Sequence, residues 1–335
     1  MHVRWPWRAV GHLLVVLALS LTGCANPPPD RRAQADQLTS AIRSLPGVAG
    51  AEVDLTDRVA EGNVHFWLSV EVTDAVSADQ VATIASRYLD AVRAHGYPGY
   101  ETELDIRRAN NVFTVDDRQH IPTNTDQIIG QARDWVALGD QFRTATVTLT
   151  SALSYPPGGH DTGHPSFGAI DMPEADYAAL TAAVGTLAAR FPQLAAGGWA
   201  LGAGKVRPAE ITTSQRLPTP QELGVWSAVN ADQTIPHGAA LTINAPAAPP
   251  VWISEQALSH DPAVAVALAV RHLPIVATLP APVLYTATDQ LQGHRDFNNR
   301  TTGPVAVTIG GCTVRTYRPD QTEQRLINSY ETCRS

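Results

Sequence analysis

The segment Gly159-His160-Asp161-Thr162-Gly163-His164-Pro165 concentrates side chains that could ligate a metal. Two histidines four residues apart share an ion readily when they lie on one helix face. Here Gly159 and Pro165 bracket the pair, which predicts a loop. Zinc takes four protein ligands, or three with an open position, and no third ligand follows from the spacing. The expectation is a polar loop with solvated histidines. His160, Asp161 and His164 stand as the alternative, a metal site that would serve a hydrolase.

Other catalytic chemistry is harder to assemble. Neither Gly-x-Ser-x-Gly nor Ser-x-x-Lys occurs. The run Gly198-Trp199-Ala200-Leu201-Gly202-Ala203-Gly204-Lys205-Val206 approaches a phosphate-binding loop. The motif needs glycine where Trp199 stands and Ser or Thr where Val206 stands, so the expected structure is a strand and a glycine turn. Glu71, Glu103 and Asp105 fall on alternating, strand-like segments and read as solvated carboxylates. The sequence therefore favours a non-catalytic role, and no cofactor is expected.

Composition narrows the partners. The chain has 335 residues, 44% of them hydrophobic and 17% charged, enough to build cores for two or three domains. Lysine and arginine number 24 against 32 acidic residues, a net charge of −8. That balance argues against nucleic acid and against a polybasic hold on anionic lipid. Lys205 is the only lysine, and alanine, valine and aspartate are abundant, as in proteins of high-GC bacteria such as actinobacteria.

At the N-terminus, Arg4 and Arg8 precede a short apolar stretch, His12 to Leu21. It is about half the roughly 20 residues needed to span a bilayer, and matches a secretory signal. It ends in Leu21-Thr22-Gly23-Cys24, which resembles the lipobox of bacterial lipoproteins. The resemblance implies that residues 1–23 are removed and that Cys24 is acylated, with palmitate among its chains. It places the protein on the outer face of the cell membrane. Several acyl chains, at about 0.8 kcal/mol per buried CH₂, give stable anchoring. Residues 24–32 include Pro27-Pro28-Pro29 and read as a semi-rigid tether. With Cys24 lipidated, Cys312 and Cys333 remain as a pair in an exported protein, where disulfides persist. They are expected to be bonded to each other.

The elements that must position any site repeat along the chain. Helical patterns begin near residues 33, 78, 124, 174, 219, 262 and 320, usually with two strand-like runs between them. Leu38, Ala41, Ile42 and Leu45 follow helical spacing; Val64, Phe66, Leu68, Val70 and Val72 alternate with His65, Trp67, Ser69 and Glu71. Ser77 with Gln80 has capping-box spacing; Asp320 with Glu323 starts the last helix, and Asp261 precedes Pro262 as a helix start. Pro304 to Gly310 and Cys312 to Tyr317 are expected to close the chain as a hairpin. The fold class is α/β (α+β): tandem two-layer α/β sandwiches with mainly antiparallel sheets, built from helix-strand-strand units. Three modules are expected, at residues 33–117, 118–215 and 216–335.

The opening order helix-strand-strand-helix-strand, with Leu45-Pro46-Gly47-Val48 after the first helix, resembles the BON family of bacterial envelope modules over residues 33–108. The resemblance implies a small α/β domain that binds membranes or partner proteins. His65 and Trp67, on the polar side of their strand, are the candidate surface-binding residues, since aromatic anchors are enriched at interfaces. The expected function is a non-catalytic binding or scaffolding role in the envelope. Its partners would be the membrane, through the N-terminal lipid, and a protein, lipid or cell-wall ligand.

Overall fold

The computed structural model describes residues 29–56, 64–97, 100–116, 125–152, 166–245, 249–289, 304–315 and 317–333. Cys24 and the His160–His164 segment lie outside the described residues.

Each unit is a helix followed by two strands, and the rhythm runs six times. Helix α1 (Arg32–Arg43) precedes β1 (Val48–Thr56) and β2 (His65–Val72). Helix α2 (Ala78–His95) precedes β3 (Glu101–Arg108) and β4 (Asn111–Asp116), and α3 (Thr125–Gln141) precedes β5 (Thr146–Ala152) and β6 (Ser166–Met172). Then follow α4 (Tyr177–Arg190), β7 (Gly198–Ala203), β8 (Ala209–Thr213), α5 (Pro220–Ala231), β9 (His237–Ile243) and β10 (Val251–Ala257). Helix α6 (Pro262–Val276), β11 (Val283–Thr288), β12 (Val305–Ile309) and α7 (Gln321–Tyr330) complete the chain.

All twelve strands form one sheet, in sequence order. The two strands of a unit pair antiparallel, while the strands flanking a helix pair parallel. That connectivity follows from length: a helical crossover can join parallel neighbours, and a short connection joins antiparallel ones. The sheet continues across both expected module boundaries, because β4 pairs with β5 and β8 pairs with β9.

Period-two alternation gives the sheet one buried face throughout. Phe66 pairs with Thr102, Ile106 with Phe113, Phe113 with Leu149, Gly168 with Trp199, Leu201 with Ile211, and Leu241 with Ile253. These residues are buried, and their apolar side chains share a single core with the stripes of the helices. The helices pack on that face, many of them against their neighbours in sequence. The opposite face of β1 to β10 carries the polar and small residues. At a strand spacing of about 4.8 Å the sheet is roughly 50 Å wide.

Local signals explain the boundaries. Ser77 and Gln80 form a reciprocal capping box at α2, and so do Thr219 and Glu222 at α5, where Pro220 occupies the first turn. Asp176, Asp261 and Asp320 cap α4, α6 and α7 with their carboxylates. Gly47, in Leu45-Pro46-Gly47-Val48, has φ +84°, a left-handed turn that glycine adopts without a Cβ penalty.

One expected strand is absent. After β12 the residues Cys312 to Val314 run without regular structure, and only Arg315 makes an isolated bridge. The Arg315 side chain is the physical reason. It donates to the Ala306 carbonyl and to Glu331, taking a position on the edge of β12 that a pairing strand would need. Glu323, in the first turn of α7, also lies against this edge. Its carboxylate accepts from the Ala306 N–H at 3.1 Å.

Cys312 and Cys333 are joined as a disulfide, with Cα atoms 5.0 Å apart and a sequence separation of 21. The bond fastens the residues after α7 to those after β12. Next to it, Gly310 N–H donates to Tyr330 O and Thr332 N–H to Gly311 O, both at 2.9 Å. Closing such a loop is worth about 3 kcal/mol in the chain-entropy model. Reduction should therefore accelerate amide exchange in α7 and β12 while leaving α2 and β3 protected. Equal protection of α7 before and after reduction would refute this.

Candidate functional site

Among the described residues, chemistry-bearing side chains come together on the open face and, buried, on the helix side of the sheet. The exposed place is on the open face, near the first edge. His65 and Trp67, two residues apart on β2, project to the same side and stack with ring centroids 4.0 Å apart. His65 Nε2 is 3.3 Å from the Asp54 carboxylate on β1. Trp67 is 41% exposed, with Glu103 of β3 as its register partner. Both residues fall on the outward parity of β2; Trp67 is the exposed member, and the His65 side chain is only 12% exposed beneath the stack.

The open face continues from this pair through Thr148, Thr150, Ala200, Thr212, Ala240 and Ser254. Phe167, half exposed, and Trp252, half-buried, are further large apolar residues on that side. A shallow cleft of about 170 Å³ lies farther along, with Glu210, Gly238, Ala240, Ser254 and Gln256 in its walls.

The buried place is on the helix side of β9 to β11. Glu255 occupies an inward position of β10, where alternation otherwise places Val251, Ile253 and Ala257. His272 occupies the apolar stripe of α6, following Ala265, Leu268 and Ala269. His237 begins β9. All three are fully buried. His272 Nδ1 is 2.8 and 3.0 Å from the two Glu255 oxygens. His272 Nε2 faces Asp232, just beyond α5, at 3.6 Å. His237 Nδ1 is 2.7 Å from the Ile235 carbonyl. A carbonyl only accepts, so Nδ1 carries the proton, and Nε2 has no hydrogen-bond partner.

The electrostatics follow from burial and neighbours. Burial disfavours the His272 imidazolium, but the hydrogen bond and charge of Glu255, and then Asp232, outweigh it and hold the pKa above the ordinary value. Asp232 is held well below the usual carboxylate range, first by Arg271 and then by Thr234. Burial, followed by the Glu255 charge, pushes Tyr285 far above the normal tyrosine range.

The sequence analysis missed this second cluster, although it left a trace. A carboxylate on the apolar parity of β10 and an imidazole on the apolar stripe of α6 both break their element's pattern, and buried polar groups need partners. The run resembling a phosphate loop folds as β7 and a glycine turn, with Lys205 paired to Glu174. Glu71 and Glu103 lie exposed or half-buried on strands, and Asp105 accepts from Thr114 and Arg107. Residues 33–108 follow the element order helix-strand-strand-helix-strand. No protein-family model, curated protein or solved structure matches the chain.

Proposed function

We propose that this protein is a membrane-anchored envelope lipoprotein with a non-catalytic binding or scaffolding role, and that the open face of its sheet is the surface it presents. The observation that carries the reading is that face itself. Helices cover one side of the sheet, whereas over β1 to β10 the other side exposes charged side chains near the first edge, small and hydroxyl side chains farther on, and Trp67 of the His65–Trp67 stack. Antiparallel pairs often leave one face to water, but a long open face with exposed aromatics suits docking better than solvation alone. The buried His–Glu cluster supports the same reading, since its zero exposure leaves a substrate no approach. Among the described residues, no helix is long and apolar enough to cross a membrane; attachment through Cys24 is supported by the lipobox-like Leu21-Thr22-Gly23-Cys24.

Two measurements test it. The wild-type protein should partition into detergent and take up an acyl label, and Cys24→Ser should abolish both. Acyl labelling of the Cys24→Ser protein at the wild-type level would overturn the anchoring. A photoreactive amino acid at exposed Thr212, on the open face, should cross-link envelope material in cells. The same probe at exposed Arg87, on α2, should not. Cross-linking from Arg87 alone would place the binding surface on the helices instead.

A further inference from the structure

We propose that His237 Nε2, His272 Nδ1 and the Glu255 carboxylate bind a divalent transition metal, with zinc the ion their chemistry suits. Two imidazoles and one carboxylate form a donor set that zinc uses, and three protein ligands leave a fourth position to be filled. One ligand atom from each of the three residues lies within 4.8 Å of the others. Ligands about 2.0–2.1 Å from a tetrahedral ion stand roughly 3.4 Å apart, so His272 Nδ1 and Glu255, now at 2.8 Å, would open slightly while any longer separation within the 4.8 Å limit closes.

The surroundings argue for an ion more strongly than the distances. A metal-bound histidine usually donates its other ring N–H to a carbonyl or carboxylate, which fixes the tautomer and aims the lone pair. His237 has that arrangement, while His272 Nε2 faces a carboxylate beyond hydrogen-bond distance and is, like His237 Nε2, without a hydrogen-bond partner. His237 is set by the Ile235 carbonyl at 2.7 Å, and His272 has Asp232 opposite its remote nitrogen at 3.6 Å. Asp232 is itself held by the Arg271 guanidinium and by the Thr234 N–H. His237 Nε2 is meanwhile fully buried without a partner, which is costly for a polar atom unless something binds it. Without metal, His272 Nδ1 hydrogen-bonds to the Glu255 carboxylate; an ion bound at Nδ1 would take the place of that hydrogen bond. Enclosure makes the role structural. The ion would tie α6 to β9 and β10, fastening the fifth and sixth units together.

The test uses the detergent-solubilised full-length protein, stripped with a chelator and titrated with Zn²⁺ or Co²⁺. One equivalent should bind, and the cobalt form should show the visible d–d bands of a tetrahedral site without thiolate charge transfer. His237→Ala should lose the ion. Asp232→Asn should bind it about 10–100-fold more weakly, the usual cost of removing such a partner. His160→Ala with His164→Ala should keep the full equivalent. If His237→Ala does not fold, the wild-type cobalt spectrum and the loop double variant decide. Absence of binding by the wild-type protein overturns the proposal, and so does loss of the ion in the loop double variant.

Discussion

Arg315→Ala should destabilise the C-terminal unit by about 3–5 kcal/mol, the cost of leaving a buried carboxylate without its cation. The guanidinium is 11% exposed, against 1% for Glu323 and 2% for Glu331. Arg315 donates to both Glu331 oxygens and to the carbonyls of Ala306 and Thr313. The carboxylates in turn accept from the edge of β12: Glu323 from Ala306 N–H, and Glu331 from Thr308 N–H at 3.0 Å. Burial raises the Glu323 pKa even with Arg315 nearby, so removing the cation should favour protonation and free the edge. Denaturant unfolding followed by amide exchange should show α7 and β12 opening first. Arg315→Lys keeps the charge but not the planar fork, and should lose less. A wild-type midpoint for Arg315→Ala would refute the account.

Trp199→Ala should cost a comparable 3–5 kcal/mol, roughly the value of a fully buried aromatic. Trp199 sits at the middle of the sheet, its indole N–H donating to Leu194 O at 3.0 Å. It lies flat over Gly168 on the neighbouring strand. A Cβ added at Gly168 would come within 2.3 Å of the ring, so the glycine is a packing requirement rather than a turn. Gly168→Val alone should therefore destabilise by about 1–3 kcal/mol through overpacking. The two changes should offset each other when combined, because valine fills part of the void left by the indole. A double-mutant cycle measures the coupling directly. Strictly additive losses would show that Gly168 does not make room for Trp199.

Much of this architecture was legible in the chain because it rests on local physics. Val81, Ile84, Ala85, Tyr88, Leu89 and Val92 mark α2 by spacing, and they are buried as that stripe requires. Alternation in β2 placed Phe66, Leu68 and Val70 inward and Trp67 outward. Capping carboxylates set the starts of α6 and α7 within a residue. What escaped depends on partners distant in sequence. Continuity of the sheet from β4 to β5 is made by backbone hydrogen bonds, which no side-chain pattern encodes. The segment from Cys312 to Tyr317 has strand-like composition, but Arg315 is drawn to Glu331, sixteen residues away. The buried cluster joins His237, Glu255 and His272 from three elements. Each alone looks like an ordinary polar residue, and only the tertiary fold turns two pattern violations into one site.

The sealed edge of β12 also limits assembly. A sheet built by adding one unit after another has no intrinsic length, and further chains could extend it by the same backbone pairing. Here the N–H groups of Ala306 and Thr308 and the carbonyl of Ala306 are already taken by Glu323, Glu331 and Arg315. The last unit is thus a terminator, as in a polymer whose growing end has been quenched. Head-to-tail propagation needs every subunit to offer two receptive ends, and one inert end is enough to forbid it. At high local concentration the protein would then stay a finite particle, and its supply of open sheet face would scale with the number of molecules rather than with the length of fibres.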